Sequence, residues 1–206
     1  MAQIKELRRK LYRRIVIGVM VAGFLVVAVF PALSAKNPKN ETLEATAMGT
    51  GTQMGQVIGI SVEIYEYSTP EERQVLLDAF SKGQNQGLVN ALTKMHAVGH
   101  ISITGTLGYD LAFVRMTPTP TGRRIRFVTN RQLRFGEVYA DAQSLAYNLT
   151  AGEFELDDTD KSKSTGVLYP ECQLVIDKQG QLQIQLNQNA WKLVDVLDWK
   201  GTAGVN

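Results

Sequence analysis

The longest apolar run in the chain covers residues 15–35, where 21 consecutive positions carry no charge. At about 1.5 Å per residue, a helix of this length crosses a hydrocarbon core of roughly 30 Å. Positive charge beside a membrane span stays in the cytoplasm. The cations that precede the run include Arg8, Arg9, Lys10, Arg13 and Arg14. The pattern predicts a cytoplasmic flank (residues 1–14), a transmembrane signal anchor (residues 15–35) and an exported remainder.

The alternative for this segment is removal as a secretory signal peptide. It ends in PALSA (residues 31–35), where cleavage after Ser34 would place Ala32 and Ser34 at the two small positions. The apolar run is longer than the roughly 7 to 15 residues of a usual signal core, which favours a retained anchor. Attachment of a lipid at a processing site is excluded because the only cysteine is Cys172.

Polar residues dominate residues 36–54, which we interpret as a tether without a helical or strand period. Regular alternation then begins at Gln56. Apolar side chains occupy every second position, at Ile58, Ile60, Val62 and Ile64. Alternation of β-branched residues predicts a half-buried strand.

A helix start follows this strand. Thr69 is a capping residue, Pro70 suits the first helical position, and Glu72 completes a capping box. The predicted buried stripe consists of Val75, Leu76, Leu77 and Phe80. Gly83 predicts an end, and a second short helix is expected at about residues 85–95. The two helices would form a helical hairpin lying on a sheet.

From residue 99 onward, short alternating runs separated by turn residues predict antiparallel strands. These runs cover residues 100–104, 109–116, 123–130, 132–140, 146–156, 166–169, 173–177, 182–186 and 193–197. Residues 177–180 are a hairpin connection. The chain has no strand–helix–strand alternation. We therefore expect an α+β fold: an antiparallel β-sheet or sandwich with the helical hairpin after the first strand, in one exported domain (residues 55–206).

The charge balance of the chain limits the classes of partner that the protein can bind. Sixteen basic and nineteen acidic residues follow residue 35, so the exported part has a net charge of −3. A nucleic-acid partner would require a basic face, so none is expected. The lone Cys172 has no partner for an internal disulfide and is predicted to be a small buried apolar residue, with an intermolecular bridge as the alternative.

Candidate catalytic and metal-binding residues are few. His96 and His100 are four residues apart, but the change to strand pattern at Ile101 disfavours helical zinc spacing. Three aspartates (Asp157, Asp158 and Asp160) lack the remaining ligands of a calcium loop and predict a charged surface turn. Motifs for a serine nucleophile, haem attachment, dinucleotide binding or phosphate binding are missing from the sequence. We expect no catalytic residues, cofactor or metal.

Two features predict binding of a partner. Five arginines are close in sequence, and alternation places two of them on one face of a strand; the set is Arg123, Arg124, Arg126, Arg131 and Arg134. The second feature is the segment 191–199, with Trp191, Val194, Val196 and Trp199 as contacts. For the arginines the alternative is the wet face of an antiparallel sheet.

The aromatic residues Tyr65, Tyr67, Tyr109, Phe113, Phe127 and Phe135 are expected to fill the core rather than to line a ligand groove.

Several stretches resemble a family of exported bacterial proteins of unknown function, associated chiefly with Acidobacteria and related phyla. They are YEYSTPEE (residues 65–72), LGYDL (107–111), GRRI (122–125) and TNR (129–131), and the resemblance covers residues 55–201. The family pattern has Asp-Arg-Pro where this chain has Asn130, Arg131 and Gln132, and it has a cleavable leader. The resemblance implies an exported protein and no catalytic residues.

These patterns predict a single-pass protein of the bacterial inner membrane, with its N-terminus in the cytoplasm and its main domain in the periplasm. We expect a non-enzymatic accessory or interaction subunit of a larger inner-membrane complex; respiratory, photosynthetic and transport assemblies fit equally. The alternative is a secreted module that binds a small ligand or polysaccharide after signal peptide cleavage. A third hypothesis, an exported hydrolase, predicts that His96, His100 and Asp110 share one pocket.

Overall fold

A computed structural model describes residues 40–133, 146–178 and 180–200. Of residue 200 it describes only the backbone. The predicted cytoplasmic flank and transmembrane anchor lie outside these residues. Among the helices that are described, none is both long and apolar enough to span a bilayer.

In the part of the chain that the structure describes, ten antiparallel strands form one sheet. The strands are β1 (Glu41–Met48), β2 (Val57–Ile64), β3 (Gly99–Ile103), β4 (Tyr109–Leu111), β5 (Phe113–Thr119), β6 (Gly122–Thr129), β7 (Leu149–Asp157), β8 (Thr165–Ile176), β9 (Leu182–Leu186) and β10 (Trp191–Lys200). Their order is β4-β3-β2-β1-β10-β8-β7-β6-β5, and β9 also pairs with β8. The expected antiparallel, sheet-dominated α+β class is confirmed.

The sheet curls until its two ends meet. Only Ala112 separates β4 from β5, and its backbone N–H donates to Val128 O across β6 (3.2 Å). Since β4 pairs with β3 while β5 pairs with β6, one run of chain joins both ends of the strand order. The result is a nearly closed, barrel-like sheet rather than a two-layered sandwich.

The inward face of this sheet encloses the main hydrophobic core. Leu43, Val62, Phe127, Phe154 and Trp191 are fully buried in it. The rings of Phe127 and Phe154 lie 6.1 Å apart, and Phe127 stands opposite Gly152 on β7. A Cβ atom at Gly152 would lie 2.2 Å from the Phe127 ring, so the glycine makes room for this aromatic residue.

Not every aromatic residue of the predicted core is buried. Tyr67, Tyr109 and Phe113 are partly buried, Tyr65 is 41% exposed, and Phe135 lies outside the described residues.

The helix α1 (Pro70–Leu92) packs on the outward face of the sheet. Thr69 and Glu72 form the predicted capping box, with Pro70 in the first turn. Leu76, Leu88 and Leu92 are buried against the outer side chains of β7 and β8, which include Cys172. The predicted stripe is wrong at two positions, because Val75 and Leu77 are 56% and 42% exposed.

α1 is interrupted where the sequence predicted a break. Gln84 has a non-helical backbone (φ 51°, ψ −145°), one residue after Gly83. A Cβ atom at Gly87 would lie 2.3 Å from the carbonyl oxygen of Ala79, eight residues earlier. Such an approach is impossible in a continuous helix, which rises about 1.5 Å per residue. The two parts of α1 therefore fold against each other as in the expected hairpin.

Residues 41–48 correct the prediction of an unstructured tether. They form β1, which lies between β2 and β10 and buries Leu43, Ala45 and Ala47. Small alanines and threonines give a weak period-two signal on their own, and only pairing with strands on both sides makes this segment a strand. Two further predicted runs, at 166–169 and 173–177, are parts of the single long strand β8.

Candidate functional site

Arg124 and Arg126 lie on the outward face of β6, as alternation predicts. Each stands opposite a glutamate of β7: Arg124 faces Glu155 and Arg126 faces Glu153. Arg124 Nε lies 2.5 Å from Glu155 Oε2 and 3.4 Å from Glu153 Oε1, and Arg126 Nε donates to Glu153. The hydrogen bond to Glu155 raises the pKa of Arg124. The pairs leave little uncompensated positive charge for an acidic partner on this face.

Arg123 corrects the prediction of a five-residue docking cluster. Its side chain is only 15% exposed and points to the inside of the sheet. There its Nη2 donates to Glu41 and to Asp198 Oδ2, the latter at 2.6 Å. Tyr67 Oη donates to the second oxygen of Glu41 at 2.6 Å. A partner protein does not reach this guanidinium from the sheet surface, because neighbouring residues on one strand point to opposite faces.

Two carboxylates share one guanidinium in this buried group. Glu41 is 1% exposed, and this burial raises the pKa of its carboxyl group. Burial and the hydrogen bond to Glu41 also raise the pKa of Tyr67, so the phenol stays a neutral donor. Sequence reasoning missed Glu41 because residues 36–54 were assigned to the tether. The one available signal was weak: Leu43, Ala45 and Ala47 are apolar at every second position, and Glu41 falls on the same face.

The direction of side chains in β10 changes at Asp195. The pairing of β1 with β10 shifts register between Glu44 and Thr46, and Asp195 has a positive φ of 51°. These are the features of a β-bulge, which inserts one extra residue in a strand. Before it, Trp191 and Leu193 are buried; after it, Val196 is buried and Leu197 and Trp199 are 52% and 46% exposed.

The bulge divides the predicted contact segment 191–199. Trp191 is fully buried in the core, so its assignment as a partner contact is wrong. Val196 is also buried, and Val194 is partly buried. Trp199 remains on the surface, where its Nε1 donates to Glu44 Oε2 at 3.2 Å. Sequence reasoning missed Leu197, because the outward direction of this residue depends on the bulge.

A groove of about 230 Å³ lies beside Leu197 and Trp199. It is lined by Leu156, Asp157, Asp158, Lys161, Ser164, Val196, Leu197, Asp198 and Trp199. The groove borders the part of β10 that follows Leu193, because β10 pairs with β8 only from Trp191 to Leu193. In the described residues, the edge of β10 beyond Leu193 has no further strand pairing on the β8 side.

The remaining predicted arginines lie apart from this groove. Arg131 is exposed after β6 and lines a polar cleft of about 400 Å³, and Arg134 lies outside the described residues. The cleft also contains Thr93, Tyr109, Asn130, His100 and Asp110.

The two histidines do not form a common site. His100 Nδ1 lies 3.3 Å from Asp110 Oδ1, and His100 Nε2 lies 2.8 Å from Leu107 O. His96 Nε2 instead lies 2.6 Å from Glu66 Oε1, with Glu72 Oε1 3.8 Å from its Nδ1. The structure thus brings together two of the three residues on which the hydrolase hypothesis depends.

The carboxylates of Asp157 and Asp160 in the aspartate-rich turn accept hydrogen bonds from residues of the same turn. Asp157 Oδ1 accepts from the backbone and side chain of Thr159 and from the backbone of Asp160, at 2.6–2.9 Å. These hydrogen bonds lower the pKa of Asp157 to about 2, and the bond from the Thr159 hydroxyl has the largest effect. Asp160 caps the short 3-10 helix Lys161–Lys163. Within residues 40–133, 146–178 and 180–199, no three potential ligands cluster as a metal site would require.

Cys172 is 1% exposed, which confirms the prediction of a buried residue. Burial raises the pKa of its thiol to about 12. Since the thiolate is the reactive form, Cys172 is chemically inert in the folded domain.

Comparison of the chain with protein-family models, with curated proteins and with solved structures gives no match.

Proposed function

We propose that this protein is a membrane-anchored accessory subunit without enzymatic activity. In this proposal residues 15–35 cross the bacterial inner membrane once, the N-terminus stays in the cytoplasm, and the sheet domain lies in the periplasm. There it docks onto a partner subunit of a larger inner-membrane complex. The apolar run and its basic flank support the topology.

The observation that carries the docking role is the outward end of β10. The bulge at Asp195 exposes about half of Leu197 and of Trp199 beside a groove and an open strand edge. Exposed Trp and Leu beside the end of β10 that pairs with no strand on the β8 side in the described residues fit an extended apolar segment of a partner subunit, which would add a strand there. Because the charges of Arg124 and Arg126 are paired with glutamates, we assign these arginines a secondary role in the proposed contact, in orientation more than in affinity.

The test begins with native membranes extracted in mild detergent. Intact mass and a native gel are expected to show an uncleaved chain migrating with other subunits. The double variant Leu197→Ser and Trp199→Ser is expected to leave that complex, whereas Val75→Ser, a change at a similarly exposed apolar residue on α1, stays in it. Equal retention of both variants would refute the docking surface.

The arginine contribution has a separate test. Charge reversal with Arg124→Glu and Arg126→Glu is expected to weaken association and its salt dependence, measured by the amount of complex recovered at low and high salt. Unchanged recovery at every salt concentration would remove these two residues from the interface.

The polar cleft at Arg131 favours a second candidate function, a secreted module that binds a small ligand or polysaccharide. Its hydrogen-bonding groups (Thr93, Tyr109, Asp110, Asn130 and Arg131) suit hydroxyl-rich ligands. This function requires release from the membrane. A mature chain that starts near residue 35 and runs free in solution would support it and contradict the accessory subunit.

A further inference from the structure

Among the described residues, strand β9 has a free edge and an apolar surface that the docking role leaves unused. All five of its side chains are exposed, and Leu182, Ile184 and Leu186 expose 57%, 46% and 38%. Within the described part of the chain, β9 pairs only with β8. β1, the neighbour of β10, ends at Met48 opposite Lys192 and does not extend beside β9.

The hydrogen bonds of the hairpin show which backbone groups lie at this edge. Asp177 N donates to Gln181 O, and Asn187 N donates to Glu171 O, both within the register that pairs β8 with β9. In antiparallel pairs the groups alternate between facing the partner and facing away. Gln183 and Gln185 therefore bond to β8, and the backbone groups of Leu182, Ile184 and Leu186 point to the free edge.

The sequence of β9, Leu-Gln-Ile-Gln-Leu, reads the same in both directions and carries no charge. Exposed edge strands usually contain charges or proline that prevent pairing with another chain, and β9 has neither. If a second β9 pairs with it antiparallel around Ile184, Leu182 meets Leu186, Ile184 meets Ile184, and Gln183 meets Gln185. In that register, every edge-facing backbone group of β9 finds a partner.

We propose that β9 is a dimerisation edge whose partner is β9 of a second copy of this chain. Such a contact is isologous and closes with two-fold symmetry, so it ends at a dimer. The four strands β8, β9 and their symmetry mates then form one continuous sheet. At the contact, its apolar face combines Leu182, Ile184 and Leu186 of both copies, and the glutamines line the opposite face; Ile176 lies on the same face but on β8, one strand away from the second copy.

The first test is the mass of the full chain in detergent, measured by light scattering or native mass spectrometry. The wild-type protein is expected to be a dimer. Ile184→Lys places two lysines face to face on the two-fold axis and is expected to lower the protein mass twofold. Ile176→Lys is the matched control, because Ile176 is 45% exposed on the same apolar face but lies on β8; this variant is expected to stay dimeric.

Cysteine cross-linking tests the register itself. Directly opposed residues in a hydrogen-bonded antiparallel pair have Cα atoms about 5.5 Å apart, a distance that a disulfide can bridge. On oxidation Ile184→Cys is expected to form a covalent dimer. Gln183→Cys alone is expected to form none, but to cross-link with Gln185→Cys when the two are mixed. The native Cys172 is buried and does not interfere.

A monomeric wild-type protein, or a dimer that survives Ile184→Lys, would overturn the proposal, since the contact would be absent or located elsewhere. Assemblies larger than a dimer that disappear in Ile184→Lys would overturn the two-fold closure. Each of these results leaves the docking role of Leu197 and Trp199 unaffected, because that role is measured by retention of the Leu197→Ser and Trp199→Ser variant in the membrane complex.

Discussion

Arg123 and Arg124 are neighbours in sequence, yet the sheet gives their charges opposite surroundings. Arg123 is 15% exposed between Glu41 and Asp198, and Arg124 is 38% exposed beside Glu153 and Glu155. Water screens the outer pairs, whereas the inner group has lost most of its hydration. The two arginines should therefore differ strongly in what they contribute to stability.

We expect Arg123→Met to lower the free energy of unfolding by about 3–5 kcal/mol, because it leaves buried carboxylates without their cation. Arg124→Met is the matched control on the outer face and is expected to leave the free energy of unfolding close to that of wild type, because water screens its ion pairs. Urea unfolding followed by circular dichroism measures both values. Equal losses in the two variants would show that the inner group does not depend on Arg123.

At the scale of elements, the bulge in β10 decides which side chains reach the surface. The extra residue at Asp195 turns Leu197 and Trp199 outward and Val196 and Asp198 inward. Without it, alternation from Trp191 and Leu193 would place residues 195, 197 and 199 inside. The same bulge therefore supplies Asp198 to the inner group and exposes the proposed docking residues.

The positive φ of Asp195 allows a test of this bulge. Asp195→Val is expected to lower the free energy of unfolding by about 1–2 kcal/mol, because a β-branched residue is strained in the left-handed region. Asp195→Gly relieves that strain and is expected to match or exceed the wild-type stability. Chemical denaturation of both variants checks the order; a more stable valine variant would contradict the observed backbone conformation.

At the scale of the whole molecule, two carboxylates make the stability depend on pH in opposite ways. Burial raises the pKa of Glu41 above its ordinary value of 4.5, so the folded state binds this proton more tightly than the unfolded state. The contribution of Glu41 to stability is therefore present below pH 4.5 and falls as the pH rises from 4.5 through the higher pKa of the folded state. Hydrogen bonds lower the pKa of Asp157 from 3.8 to about 2, so its contribution is present above 3.8 and lost as pH falls towards 2.

Thermal unfolding of two variants between pH 2 and 7 separates these contributions. Glu41→Gln keeps the hydrogen-bonding oxygen without the charge, and its melting temperature relative to wild type is expected to rise as pH increases above about 4.5. Asp157→Ala is expected to melt below wild type at neutral pH, with the difference shrinking near pH 2. A pH-independent difference in either variant would mean that ionisation of that carboxyl group does not contribute.

Local signals predicted much of the fold. The alternation from Ile58 to Ile64, the capping box at Thr69 and Glu72, and the turn at residues 177–180 each depend on residues close in sequence, and each is confirmed. Leu43 and Ala45 gave no comparable signal, because β1 is stabilised by β2 and β10, whose residues are distant in sequence. The burial of Trp191 was missed because an isolated aromatic residue fits a core as well as an interface.

The sequence by itself determined the antiparallel, sheet-dominated class and the starts and turns of its elements, since propensity, capping and alternation act over a few residues. It also placed Arg124 and Arg126 on one face. Only the tertiary structure decided that Arg123 faces inward to Glu41 and Asp198, that the sheet closes through β4 and β5, and that Leu197 and Trp199 point outward. These features depend on register and curvature, which pairing between distant strands fixes.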